Sequence, residues 1–233
     1  MPATKITAVM VHGAWAECAI WNAVIPLLLK AGLAVSCAPL PLTSLSDDVR
    51  ALDRVLARIE GDIVLVGHAY AGAVIGAAKN ERVKLLIYVA ALAPDDGETV
   101  ADVFYREAPH PQAPQLAPDA DGFIWMPQDG FDRAFAQDAG ADLKALLMAT
   151  QRPINVKCIQ EKAPRPVWRD RPSWFLVAEK DRMIPAKTQH FEATRMKATV
   201  RPHAVDHSPM LTSPQAVADV INDAVRAVFP ARS

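Results

Sequence analysis

The sequence predicts an α/β fold, in which helices cover both faces of a doubly wound, mostly parallel sheet. Along most of the chain, apolar segments typical of buried strands alternate with segments of helical periodicity. The 233 residues are 51% hydrophobic, which is ample for one large core. One segment, residues 99–170, interrupts the alternation. We therefore expect a single domain with an insertion.

Six apolar segments are the predicted strands. They are residues 5–11, 34–39, 63–66, 84–94, 173–181 and 198–205. Helical patterns follow several of them, at residues 19–32, 44–61 and 213–229. Lys30 and Gly32 are typical of the end of the first helix, and serine and aspartate residues suited to capping begin the second. Strands that alternate with helices join by right-handed crossovers, which makes neighbouring strands parallel.

The insertion is rich in proline and in aromatic residues. A structureless loop of this length is uncommon inside a compact domain, so we expect a cap with short helices, such as one at 140–151. A flexible proline-rich linker is the alternative, which the apolar content disfavours. Residues 1–98 and 171–233 would then form the core, with 99–170 as a cap that supplies the apolar wall of a pocket.

Composition excludes several classes of function. The net charge is −1 and the basic residues are scattered, which is not typical of a nucleic-acid-binding protein. The sequence shows neither a signal-peptide pattern nor an apolar run long enough to span a membrane. Cys18, Cys37 and Cys158 are odd in number and far apart, which favours reduced thiols in a cytoplasmic protein, packed as small apolar side chains. No metal-ligand motif is present, so we expect no metal.

Residues 62–80, DIVLVGHAYAGAVIGAAKN, have the layout of a strand, a tight turn and a helix. A G-x-S-x-G nucleophile elbow has this layout, with the serine on a strained turn at the tip of a sheet. Here Ala69 occupies the serine position, between Gly67 and Ala71. The sequence therefore predicts the elbow but lacks the hydroxyl group that would attack a substrate.

Polar residues that could assist such a nucleophile follow later strands. Asp181 ends one predicted strand, and His207 lies in the loop before the last helix. Open α/β sheets place their sites at the carboxyl ends of strands, and the order nucleophile, acid, histidine is that of a hydrolase triad. Asp95 and Asp96 follow another strand and are the alternative acids, whereas Asp206 is too close to His207 in sequence to orient it.

Five segments together resemble the α/β-hydrolase superfamily, and more narrowly the bacterial esterase-like proteins related to plant salicylate methylesterases and hydroxynitrile lyases. They are VHGAW (11–15), VLVGHAYAGAVIG (64–76), YVAALAPDDGE (88–98), PSWFLVAEKDRMIP (172–185) and DHSPMLTSP (206–214). The resemblance covers nearly the whole chain in the right order, and it implies the α/β-hydrolase fold.

The resemblance also implies roles for individual residues. Asp181 would orient His207, and His207 would be the general base and acid. The backbone N–H groups of Tyr70 and Ala14 would form the oxyanion hole. His12 usually shapes the turn in such proteins and is not a base.

Candidate substrate-contacting residues are fewer and less specific. They are Trp15, His12, Trp125 and Trp168, with packing in the hydrophobic core as the alternative for each tryptophan.

Ala69 departs from the pattern, since the resemblance requires serine there, and Ala71 stands where many members have glycine. The histidine, the acid and the oxyanion turn are all retained, so the simplest interpretation is a deliberate serine-to-alanine change of the kind made to trap an unreacted substrate. A natural alanine is the alternative.

The predicted function is a serine esterase for small apolar or aromatic carboxylic esters, with amides and carbamates as further substrates, present here in inactive form. The alternatives are a ligand-binding protein with a naturally dead site, and a lyase that uses His207 and Asp181. None of the three implies a cofactor. The expected partner is a small ester-like molecule, and the sequence leaves a homodimer open.

Overall fold

The computed structural model describes residues 5–230. Its strands are β1 (Ile6–Val11), β2 (Ala34–Ala38), β3 (Asp62–His68), β4 (Val83–Val89), β5 (Phe123–Ile124), β6 (Ile154–Asn155), β7 (Ser173–Ala178) and β8 (Thr199–His203). Its α-helices are α1 (Ile25–Lys30), α2 (Leu45–Ala57), α3 (Ala71–Ala77), α4 (Val100–Phe104), α5 (Gln128–Gly130), α6 (Ala141–Thr150), α7 (Val156–Gln160), α8 (Ala186–Arg195), α9 (Pro209–Thr212) and α10 (Pro214–Val228). Two 3-10 helices (Cys18–Trp21 and Val167–Arg169) and one π-helix (Phe131–Phe135) complete the set.

The main sheet has six strands in the order β2-β1-β3-β4-β7-β8, and every neighbouring pair is parallel. Apart from the half-buried Ile6, the apolar residues of β1, β3, β4 and β7 are buried, as expected for strands covered on both faces. All six predicted strands are present, and the predicted fold class is confirmed. The strand predicted at 84–94 ends at Val89, because Ala90 has φ +45° and leaves the extended conformation.

The helix predicted at 19–32 is wrong in its extent. A 3-10 turn over Cys18–Trp21 is followed by the separate helix α1. Pro26 lies in the first turn of α1, where its missing N–H costs nothing but prevents a continuous helix through this point. The end of the helix agrees with the prediction, since Gly32 follows it at φ +86°.

The inserted segment is more varied than a purely helical cap. It contains four short α-helices, α4 to α7, and also the π-helix and the two-stranded antiparallel sheet of β5 and β6. Phe131 and Phe135 of the π-helix are buried and pack edge to face. These aromatic residues attach the segment to the core.

The three cysteines are free thiols in different surroundings. Cys158 is buried, as expected for a small apolar side chain, but Cys18 and Cys37 are only half-buried. Cys37 lies on β2, the edge strand of the sheet, and Cys18 begins a surface turn. The expectation of core packing therefore holds for Cys158, holds in part for Cys37, whose half-buried side chain packs against the core, and is wrong for Cys18.

Within residues 5–230, none of the helices has both the length and the apolar character needed to cross a bilayer.

A buried glutamate on α8 makes stability depend on pH. Glu192 accepts a hydrogen bond from the Ala93 N–H (2.5 Å) and pairs with Arg195 (3.2 Å). Burial outweighs the attraction of Arg195 and raises the pKa of Glu192 to about 8. The folded chain therefore keeps a proton that the unfolded chain has already lost at its ordinary pKa. The contribution to stability is largest below that ordinary value and is lost as the pH rises to about 8.

We expect the Glu192→Gln variant to lose less stability than the parent chain between about pH 5 and about pH 9, because the amide cannot ionise. Thermal unfolding of both proteins at several pH values measures the effect. Equal slopes of Tm against pH would contradict it.

Candidate active site

Ala69 occupies the tip of a sharp turn between β3 and α3. Its φ is +49°, a left-handed conformation that is costly for any residue with a Cβ. The Ala69 N–H donates to the Val89 carbonyl (3.2 Å), and the Ala69 carbonyl accepts from the Leu92 N–H (3.0 Å). The end of β4 therefore holds the turn in the strained geometry that presents a side chain at the edge of the sheet.

His207 and Asp181 form a buried hydrogen-bonded pair, with 2.8 Å between Nδ1 and Oδ2. Asp181 also accepts from the N–H groups of Met183 (2.7 Å) and Ile184 (2.9 Å) and from the Gln189 amide (2.9 Å). Since a carboxylate only accepts, the shared proton belongs to Nδ1 of His207. Nε2 is then the basic nitrogen, free to take a proton from another group.

His68, the last residue of β3, holds the loop that carries His207 against the elbow. His68 Nε2 donates to the His207 carbonyl (2.8 Å), and the two rings lie 4.8 Å apart. Complete burial lowers the pKa of His68 well below its ordinary value, so this imidazole is neutral. The Phe135 ring packs edge to face on His207 from the inserted segment. His207 is thus fixed from both sides.

Two backbone donors lie next to Ala69. Within the described residues, neither the Tyr70 N–H nor the Ala14 N–H has a hydrogen-bond acceptor. Tyr70 follows Ala69 directly, and the turn with Ala14 touches the elbow, since a Cβ on Gly13 would lie 3.1 Å from the Ala69 Cβ. Both N–H groups are therefore free to bind an oxygen atom beside position 69.

A cavity of about 640 Å³, counting its opening to solvent, lies between the core and the inserted segment. Its lining is almost wholly apolar: Ala14, Trp15, Ala69, Tyr70, Leu92, Val100, Ala101, Phe104, Tyr105, Leu116, Ile124, Phe135, Ile154, Ile159, Met183, Ile184 and His207. The imidazole of His207 is its one ionisable group apart from the two tyrosines. The cavity therefore suits a small apolar molecule that places one polar group at His207.

Of the candidate substrate-contacting residues, Trp15 lines the cavity, and its indole N–H donates to the Ile124 carbonyl (2.9 Å). His12 does not. It accepts from the Leu40 N–H (3.0 Å) and bonds to the Gly13 carbonyl (2.9 Å). Burial lowers the pKa of His12 to about 4. His12 shapes the turn, and the expectation that it contacts substrate is wrong.

Trp125 and Trp168 also lie away from the cavity, so their expected contact with substrate is wrong. Trp125 is 53% exposed, and its indole bonds to the Asp119 carboxylate (3.2 Å) on the outer side of the insertion. Trp168 is buried near Gly76, at the end of α3 remote from the elbow. Trp168 belongs to the hydrophobic core, as the alternative interpretation of its sequence position expected.

Of the two alternative acids, Asp96 is exposed and makes no side-chain hydrogen bond within residues 5–230. Asp95, and also Asp206 next to His207, are engaged elsewhere. Asp95 pairs with the Arg169 guanidinium (2.6 and 2.9 Å). Asp206 accepts from the Thr212 hydroxyl (2.6 Å) and the Ser208 N–H (3.2 Å). Neither contacts the His207 ring through a hydrogen bond, so Asp181 is the carboxylate that orients it.

The sequence patterns missed most of the cavity wall. Leu116, Ile124, Phe135, Ile154 and Ile159 come from separate short elements of the insertion. No periodicity links them, and only tertiary packing brings them together. Within residues 5–230, no group of three or more histidine, cysteine or acidic side chains is arranged to hold a metal ion.

Residues 8–220 match the profile of the alpha/beta hydrolase family. The chain belongs to this family. No curated protein matches it. Among solved structures, polyneuridine aldehyde esterase has a TM-score of 0.83 at 19% identity, over 94% of this chain and 98% of that one.

Two further structures are similar. A pyrethroid hydrolase from Sphingobium faniae JZ-2 has a TM-score of 0.81 at 21% identity, over 98% of this chain and 99% of that one. A methylesterase from Arabidopsis has a TM-score of 0.77 at 18% identity, over 95% and 99%. The profile match confirms the resemblance to the α/β-hydrolase superfamily, and the similar structures share the fold.

Proposed function

We propose that this scaffold hydrolyses small apolar or aromatic carboxylic esters when serine stands at position 69, and that the chain with Ala69 binds such esters without cleaving them. The observation that carries the proposal is the hydrogen-bonded pair of His207 and Asp181 at the polar end of an apolar cavity, beside the strained turn of Ala69.

In the Ala69→Ser variant (the serine variant), the position of the proton on His207 determines the mechanism. His207 Nε2 removes the proton of the introduced hydroxyl, and the oxygen attacks the ester carbonyl carbon. The Tyr70 and Ala14 N–H groups stabilise the oxyanion that forms. His207 then protonates the departing alcohol and later activates the water that releases the acid. The methyl group of Ala69 can perform none of these steps.

The cavity supports the substrate class. A charged group on the ligand would be buried among apolar side chains without a partner, at a cost of several kcal/mol. A neutral ester carries one carbonyl group that the two free N–H groups can bind. The similar structures are named an esterase, a methylesterase and a pyrethroid hydrolase, which supports ester hydrolysis here. Amides and carbamates share the same carbonyl geometry.

A second candidate is a ligand-binding protein in which Ala69 is natural. The cavity, the free N–H groups and the His207 loop are all formed although no nucleophile is present. A site that is kept without its nucleophile favours a role in ligand binding. Lyase chemistry by His207 and Asp181 is the third candidate, and it requires activity in the chain as it stands.

The test measures hydrolysis of 4-nitrophenyl butyrate by the parent chain, by the serine variant and by the serine variant that also carries His207→Ala. We expect turnover in the serine variant alone, since both the nucleophile and its base are needed. No turnover in the serine variant would overturn the proposal. Tight binding of the ester by the parent chain, combined with that result, would support the binding protein instead.

A further inference from the structure

A buried carboxylate, Asp48, lies behind the elbow in the first turn of α2. It accepts hydrogen bonds from the Tyr70 hydroxyl (2.7 Å) and from the Leu42 N–H (2.8 Å). The Cys158 thiol, on α7 of the inserted segment, donates to it at 3.6 Å. One side chain thus joins the elbow, the loop before α2 and the insertion.

Asp48 and its donors Tyr70, Leu42 and Cys158 form a cluster that has no part in the triad. Burial of the Asp48 carboxylate is nevertheless costly. A carboxylate removed from water is tolerated only where donors surround it. Burial outweighs these donors and raises the pKa of Asp48 to about 6. Burial also raises the pKa values of the Tyr70 hydroxyl and the Cys158 thiol above their ordinary values, so both remain protonated donors.

Tyr70 connects the cluster to the site. Its backbone N–H is one of the two free donors beside Ala69, and its ring is 3% exposed. The peptide that carries this N–H follows directly after the strained Ala69, where relaxation to an ordinary φ would turn the N–H away. Such strain persists only when the surroundings over-determine it. The bond from the Tyr70 hydroxyl to Asp48 is one of these restraints.

We propose that Asp48 is a positioning residue: by holding the Tyr70 hydroxyl, it fixes the direction in which the Tyr70 N–H points toward the oxyanion. This inference rests on the proposed function and adds a residue to it. Asp48 touches no substrate and acts only through Tyr70.

The test compares Tyr70→Phe with Tyr88→Phe, each made in the serine variant. Tyr88 is a matched control, because its hydroxyl is also fully buried but has no hydrogen-bond partner among residues 5–230. Loss of a whole oxyanion donor costs about 10²- to 10³-fold in kcat, so a misdirected donor is expected to cost about 10-fold. KM is expected to stay within about twofold, since the substrate carbonyl carries little charge before attack. Tyr88→Phe is expected to change neither constant.

Two further readouts separate positioning from general stability. Inhibition by phenylboronic acid, which forms a tetrahedral adduct with the introduced serine, is expected to weaken in Tyr70→Phe about as much as kcat falls. Asp48→Asn is expected to act in the same direction as Tyr70→Phe. If Asp48→Asn does not fold, Tyr70→Phe alone still decides the result. Equal kcat values for Tyr70→Phe and Tyr88→Phe would overturn the inference.

The inference can also be judged if the serine variant proves inactive and the proposed function fails. In the parent chain, hydrogen exchange of the Ala69 amide, which donates to the Val89 carbonyl (3.2 Å), is expected to be about 10-fold faster in Tyr70→Phe than in Tyr88→Phe, because the elbow opens more readily. Equal exchange rates would overturn the positioning role independently of any catalysis.

Discussion

The Asp181→Asn substitution is expected to lower kcat of the serine variant by about 10⁴-fold while leaving the fold intact. Asp181 accepts the Nδ1 proton of His207 at 2.8 Å, and this bond leaves Nε2 as the base. An asparagine amide can present its NH₂ group to Nδ1 instead. The imidazole would then carry its proton on Nε2, where it blocks removal of the serine proton.

The surroundings of Asp181 favour this wrong orientation in the variant. The Met183 and Ile184 N–H groups point at Oδ1, so the remaining oxygen of an asparagine is drawn to them. Its NH₂ group is left facing His207 and the Gln189 amide. Steady-state hydrolysis of 4-nitrophenyl butyrate measures kcat, and thermal unfolding checks the fold.

Asp95→Asn is the control, because Asp95 follows β4 and is the other acid that the chain order allows. We expect kcat within about twofold of the serine variant, since Asp95 pairs with Arg169 at the surface, where ion pairs contribute little. A large loss with Asp95→Asn and none with Asp181→Asn would assign the acid to the end of β4 and contradict our assignment.

The sequence predicts the elbow, Asp181 and His207 because local patterns determine where strands end. In a parallel sheet, all carboxyl ends meet at one edge, so chain order alone brings these residues near each other. Asp48 illustrates the limit. As the fourth residue of α2 it has the signal of a helix-start acid, but its contact with Tyr70 depends on how α2 packs beneath the elbow.

The residues that line the cavity could not be predicted from the sequence for a related reason. Trp15 and Trp125 are both aromatic residues near turns, yet one faces the cavity and the other faces solvent. The two indoles also differ in their hydrogen-bond partners, which are Ile124 in one case and Asp119 in the other. These hydrogen-bond partners depend on how the insertion packs. The sequence of the insertion has no periodic pattern from which that packing could be predicted.

Gly72→Ala is expected to destabilise the chain severely. A Cβ at this position would lie 2.3 Å from the Leu92 carbonyl oxygen, a backbone atom. That backbone cannot easily withdraw, because the Leu92 N–H donates to the Ala69 carbonyl at 3.0 Å. Overpacking against fixed atoms costs about 3 kcal/mol or more, which lowers the Tm of a chain of this size by about 10 °C. Thermal unfolding followed by circular dichroism measures the shift.

Gly76→Ala, one turn later in the same helix, is the matched control. There a Cβ would meet its nearest neighbours, Tyr88 and Trp168, at 3.6 and 3.7 Å, which is ordinary contact. Replacing a helical glycine by alanine without a steric clash gains about 0.5–1 kcal/mol, so a small rise in Tm is expected. If both variants shifted Tm equally, helix propensity would account for the result and the close approach of α3 to Leu92 would not. Opposite shifts would show that Gly72 is required by the tight packing that holds the elbow against β4.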